Sequence, residues 1–310
     1  MWNFKVNNWI VAVVICAGMF ISVLYNYSIN IALPEIALQF RAEIPEVQWL
    51  AIGFGLASGA LILPMGRLSD LVGRKRIYLS GFLVSGFTAI LTSMAPSLIL
   101  AIIFRALQGV GGAMIQANAM AILISSFPSS RRGFIIGIFM TTVGIASVLG
   151  PVFGGFIVQY FSWRWLLFIP SPLSLTACAV GFMILPHMKP ITSDSSESSK
   201  FDWRGSFYFA VSLCSLMLTI TNGHRLGWVS HTIVVLVIAF LFFASLFVVR
   251  QARTDSPLIA LELLARKYFS FGSIASLFTF MTGTSVFFIC LLYTSPSPRD
   301  ATLSRMPSSA

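Results

Sequence analysis

Long apolar runs separated by short polar connections dominate this chain. Nine runs stand out, at roughly 8–32, 47–66, 77–95, 98–120, 134–157, 165–185, 204–221, 230–249 and 269–292. At about 1.5 Å per residue, each is long enough to cross roughly 30 Å of hydrocarbon as a helix. In lipid the backbone must satisfy its hydrogen bonds within the segment, which selects helices. A membrane β-barrel would alternate apolar and polar residues over about ten-residue segments, and these runs do not alternate. The pattern predicts an all-α polytopic membrane protein. The run from Trp9 to Leu24 exceeds the core of a signal peptide, and no small-x-small site precedes Asn26-Tyr27-Ser28, so it counts as the first helix. Short connections join the first six runs. A serine-rich stretch, 187–203, follows the sixth and a charged one, 250–268, the eighth.

Composition agrees. Hydrophobic residues make up 57% of the chain and charged ones 10%, against about 25% charged in water-soluble domains. Lys and Arg fix the orientation. With the N-terminus in the cytoplasm, that side holds Lys5, Arg67, Arg74, Lys75, Arg76, Arg131, Arg132, Lys189, Lys200, Arg204, Arg250, Arg253, Arg266 and Lys267. The outer connections hold Arg41, Arg164 and Arg225. The expected location is the cell (plasma or inner) membrane, its cations beside an anionic inner leaflet. The net charge of +10 is thereby explained without nucleic acid, for which no soluble face exists. Cys16, Cys178, Cys214 and Cys290 lie in apolar runs without metal-ligand spacing and read as small buried hydrophobes. Neither HExxH, GxSxG, a histidine cluster nor a phosphate-cradling loop occurs, which argues against an enzyme and against ATP as energy source. The expected partners are the lipid bilayer and a small-molecule substrate, with oligomeric state left open.

Three stretches carry candidate chemistry. The first is Gly66-Arg67-Leu68-Ser69-Asp70-Leu71-Val72-Gly73-Arg74-Lys75-Arg76 between runs two and three. Gly66 and Gly73 permit a tight exit and re-entry of helices. Asp70 is placed to cap the next helix or pair with a cation, and Arg74, Lys75 and Arg76 to sit at the lipid interface. Taken alone, the cations mark a positive-inside loop. The second stretch, in run four, is Arg105 with Gln108, Gly109, Gly111 and Gly112. An arginine inside an apolar helix faces the protein interior and has a function by default, unless it snorkels to the interface. The third, in run five, is Gly144 followed by Gly150-Pro151-Val152-Phe153-Gly154-Gly155, where glycines let backbones touch and Pro151 loosens the helix. Asn26, Asn30, Gln116 and Asn118 are polar groups that could line a cavity, or each make a helix–helix hydrogen bond worth about 0.6 kcal/mol.

In this order the three stretches resemble signatures of the major facilitator superfamily. The resemblance assigns a conformational latch to Gly66, Asp70, Gly73, Arg74, Lys75 and Arg76. It assigns coupling to Arg105, Gln108 and Gly109, and an antiporter hinge to Gly144, Gly150, Pro151, Gly154 and Gly155. Asn30-Ile31-Ala32-Leu33-Pro34, ending span one, and Trp163-Arg164-Trp165-Leu166-Leu167-Phe168 resemble the fourteen-span drug:proton antiporters. So do Phe201-Asp202-Trp203-Arg204-Gly205, Gly227-Trp228 and Pro257-Leu258-Ile259. The resemblance implies a major facilitator fold with a complete N-terminal six-helix bundle and about three further spans. It implies export of amphipathic or cationic organic compounds by proton antiport with alternating access, energised by the proton gradient and without a cofactor. The implied domains are a bundle at 1–186, a cytoplasmic loop at 187–203, two inserted helices at 204–249, and a loop with the first helix of a truncated second bundle at 250–291. Residues 292–310 resemble translated adaptor sequence and are expected to be a disordered, non-native tail. The alternative is a non-transporting membrane protein, or an inactive half-transporter needing a partner chain.

One departure bears on coupling. The family places an aspartate five residues before the asparagine matched by Asn30, and Tyr25 stands there. Glu35, Glu43 and Glu46 are expected outside the membrane, six other carboxylates on the cytoplasmic side and Asp300 in the tail. A proton carrier needs a buried titratable group, and Arg105 cannot release a proton.

Overall fold

Each of the nine apolar runs becomes helical, and most helices outrun the stretch that predicts them. A computed structural model describes residues 7–186, 201–254, 257–259 and 261–294. The helices are α1 (Asn8–Phe40), α2 (Ile44–Val47), α3 (Trp49–Val72), α4 (Arg74–Ser93), α5 (Leu98–Ser125) and α6 (Arg132–Tyr160). After these come α7 (Arg164–Phe168), α8 (Pro170–Ile184), α9 (Trp203–Leu226), α10 (His231–Arg253), α11 (Leu261–Ala265) and α12 (Lys267–Thr294). Among the described residues there is no strand. Eight helical stretches up to Arg253 are long and apolar enough to cross a membrane, and the ninth predicted run forms α12. One unit of the chain extends through Leu258; a second begins at Ile259 and holds α11 and α12. Of the predicted loop and tail, 187–200 and 295–310 lie outside the described residues, while 292–294 continue α12.

Two boundaries correct the sequence expectation. Span one does not end at Asn30–Pro34: α1 runs on to Phe40 with Pro34 inside it. Proline removes only the N–H that would bond the carbonyl of Asn30, and the helix stops where Arg41 turns left-handed at φ 52°. Nor is Gly66 a turn. It lies within α3, and the reversal into α4 falls on Gly73 alone, at φ 111° and ψ 126°, a conformation open to glycine and rarely to other residues. The sixth span is broken, α7 giving way to α8 at Pro170, where a missing N–H is harmless in the first helical turn.

In the first unit α5 packs on α3 and α4, while α1 packs on α6 and α8; α9 pairs with α10 and rests on α3. Two buried apolar clusters result. One gathers Ile15, Met19, Phe82, Ile115, Ile122 and Phe139 towards the Gly73 end. The other gathers Ile29, Ile36, Leu50, Ala101, Trp163 and Leu167 towards the opposite end. A polar layer lies between them on α1 and α5. The outward face of α10, with Val234, Val235, Ile238, Leu241, Phe242 and Val248, is exposed and apolar, as a lipid-facing surface is.

Candidate functional site

At the centre of the polar layer is Arg105, 0% exposed. Its Nη1 donates to Gln108 Oε1 at 2.7 Å and its Nη2 to Asn26 Oδ1 at 2.9 Å. The guanidinium carbon stands 4.7 Å from the centre of the Tyr25 ring and 4.5 Å from that of Phe54. The Tyr25 hydroxyl donates to the same Gln108 oxygen at 2.6 Å. Helical geometry explains the cage. Arg105 and Gln108, three apart, share a face of α5, while adjacent Tyr25 and Asn26 offer a ring and an amide from α1. A buried cation must be compensated, and here neutral oxygens and two aromatic faces do so, each desolvated cation–π contact contributing about 2 kcal/mol. None of these partners is a carboxylate, and among the described residues Nε has no partner. Arg105 therefore does not snorkel, and Tyr25 contributes a ring face and a hydroxyl to the cage.

Beside the cage is a cavity of about 340 Å³ whose lining includes Asn26, Asn30, Phe54, Ser58 and Gln116. Gln116 Nε2 donates to Ser58 Oγ at 3.4 Å. Three of the four predicted cavity residues thus meet. Asn118 does not join them: it is buried, and its Nδ2 donates to Met114 O within α5 at 2.8 Å. Two positions along a helix turn the side chain by roughly 200°, so Asn118 faces away from the wall that Gln116 lines. Phe54 and Ser58 were missed. The legible signal was the stripe Gly55, Ser58, Gly59 and Ile62, which lines the cavity at helical spacing.

Close backbone approach holds the layer together. A Cβ on Gly109 would lie 2.5 Å from the carbonyl oxygen of Phe54. On α6, a Cβ at Gly150 would lie 2.7 Å from Tyr27 Cβ, and one at Gly154 2.7 Å from Ser28 O. Ser28 Oγ adds a donated hydrogen bond to Gly150 O at 2.7 Å. Gly144 and Gly155 break the expectation of one close-packed hinge, since a Cβ there would meet nothing within 4 Å. They lie on other faces of α6.

At the Gly73 end, Asp70 Oδ1 accepts from Arg74 Nε at 3.1 Å and Nη2 at 3.0 Å. It does not cap α4, whose N-cap is Gly73, and Arg76 is exposed. Lys75 corrects the expectation of an interfacial cation. It is 9% exposed, and its Nζ donates to Phe182 O at 2.8 Å and to Leu185 O, covering carbonyls that the end of α8 leaves free. Nearby, Asp202 accepts from Gly205 N at 3.1 Å and Arg250 Nε at 3.3 Å, tying α9 to α10. Glu35 has its own partner. It lies within α1, where one carboxylate oxygen accepts from Trp163 N at 3.4 Å and the other is buried without a partner among the described residues.

The profile described as Major Facilitator Superfamily matches residues 15–304. The chain belongs to the major facilitator superfamily. The riboflavin transporter RibZ of Clostridioides difficile is 31% identical over 287 residues, covering 93% of this chain and 61% of the relative. The tetracenomycin C resistance and export protein of Streptomyces glaucescens is 29% identical, covering 91% of this chain and 52% of the relative. The chain thus spans about half to three-fifths of the length of these superfamily relatives. Among solved structures, the POT family transporter PepTSo superposes with a TM-score of 0.56 at 15% identity, over 82% of this chain and 57% of that one. That likeness shows the facilitator fold.

Proposed function

We propose that this chain forms the first wall of a secondary active exporter of amphipathic organic compounds, working by alternating access and energised by the proton gradient. The observation that carries the reading is the buried Arg105 cage directly behind a polar cavity in an otherwise apolar bundle. Such groups within a membrane mark substrate or ion paths. In this reading α1 to α8 form the first bundle, α9 and α10 the inserted pair, and α12 opens the second bundle. Asp70 and Arg74, with Gly66, Gly73, Lys75 and Arg76 around them, act as the latch at the cytoplasmic end. Arg105, Gln108 and Gly109 couple cavity charge to helix position, and Gly150, Pro151 and Gly154 form the hinge against α1. The positive-inside distribution supports a cytoplasmic N-terminus. The export direction draws support from the Streptomyces glaucescens relative, named for resistance and export.

Because the chain spans about half to three-fifths of these relatives' length, the test supplies the remaining portion. Everted membrane vesicles containing this chain and the remaining C-terminal portion of the Streptomyces glaucescens relative are expected to accumulate riboflavin or tetracenomycin C when the lumen is acidified. A protonophore should abolish the accumulation. No accumulation above empty vesicles, with both pieces shown to be in the membrane, overturns the proposal.

A further inference from the structure

Among the described residues of the first unit, Arg105 is a buried charge without a counter-charge. Up to the end of α8 the sequence contains four carboxylates, Glu35, Glu43, Glu46 and Asp70. Glu43 and Glu46 form a capping box at the start of α2, and Asp70 is bonded to Arg74. At 1.5 Å per residue, Glu35 stands about 15 Å along α1 from Tyr25, and Asp70 about 24 Å along α3 from Phe54. Further along, Asp202 is committed to Arg250 and the Gly205 amide. No described carboxylate of the first unit therefore cancels the positive field at the cage, where the dielectric is low. It reaches the cavity through one side chain, because Asn26 and Phe54 both touch the guanidinium and line the cavity. Nε is a buried donor still without an acceptor among the described residues.

We infer that the cargo itself supplies the missing charge: the cavity takes organic compounds bearing a carboxylate or comparable acidic group in preference to cations of the same skeleton. The inference rests on the reading of this cavity as the cargo wall. A cationic cargo would place a second positive charge beside a buried one, and like charges a few ångströms apart repel strongly where water is excluded. An anion meets the opposite situation, attracted by the guanidinium across the intervening Asn26 and Phe54.

The test uses the full chain in nanodiscs of zwitterionic phosphatidylcholine, with binding read by fluorescence anisotropy. The probes are two xanthenes of opposite charge, fluorescein as the anion and tetramethylrhodamine methyl ester as the cation. Fluorescein is expected to bind about tenfold more tightly or better. Arg105→Gln should remove that preference. Asn26→Asp, nearly isosteric and within reach of Nη2, should supply the counter-charge internally, weakening fluorescein and strengthening the cation even if Arg105→Gln misfolds. Arg131→Gln, which removes an exposed cation outside the proposed machinery, should leave both affinities unchanged, as non-specific attraction to a basic protein would not. Tighter binding of the cation by the unaltered chain, or an anion preference that survives Asn26→Asp, overturns the inference. If the cation binds more tightly than fluorescein and Gln116→Ala weakens it, the cargo wall stands and the charge assignment alone falls. If neither probe binds, the cargo-wall reading falls and the inference with it.

Discussion

Two arginines of this chain, Arg74 and Arg105, sit in stretches of similar glycine-rich composition and solve opposite problems. Arg74 faces Asp70 one turn away with both side chains about a quarter exposed, at 25% and 28%. Water is present, so such a pair contributes little to stability and is free to break when a transporter changes state. Arg105 is sealed from solvent and has only neutral oxygens and ring faces for company. There the surroundings must compensate the charge continuously. The comparison separates a cation suited to switching from one that the bundle is built around.

The largest effect should come from emptying the sealed site. Arg105→Ala leaves Gln108 and Asn26 without their donor and opens a void, and should destabilise the bundle by about 2–4 kcal/mol in denaturant titrations in micelles. A loss no greater than that of an exposed arginine would mean the cage is not structural. Next, Gly150→Leu forces a side chain into Tyr27 and Leu24 and should cost about 1–3 kcal/mol in the same assay. Gly155→Ala, with open space around it, should leave the transition where it was. Equal effects would erase the distinction between the two glycines.

Lys75→Met sharpens the contrast at the basic end. It removes two hydrogen bonds to the end of α8 and should cost about 1–2 kcal/mol. The neighbouring Arg76→Met should leave stability unchanged. Asp70→Asn should cost little stability, below about 1 kcal/mol, yet in vesicles that hold both bundles it should slow efflux. Unaltered efflux in that variant would remove the latch role.

These pairs of neighbours also mark where sequence reading stops. Lys75 and Arg76 are indistinguishable by composition, and only the phase of α4 turns one onto α8 and the other outwards. Gln116 and Asn118 looked equivalent as polar residues of one span, and their opposite faces on α5 send one to the cavity and the other inside. Pro34 and Gly66 read as helix ends because such residues end helices in water. Within an apolar bundle the backbone has no alternative partner, so both helices continue past them. The Arg105–Gln108 pair was legible because both residues lie on one helix at fixed spacing. Tyr25 was visible only as a departure.

The sequence alone determined the class of molecule, the approximate positions of its spans and the family, because run length against bilayer thickness and short motifs are local properties. Only the tertiary structure decided what answers Arg105. Tyr25 and Gln108 are 83 residues apart, and whether a phenol, an amide or a carboxylate meets a buried guanidinium depends on how α1, α3 and α5 are rotated and how closely their glycines let them approach.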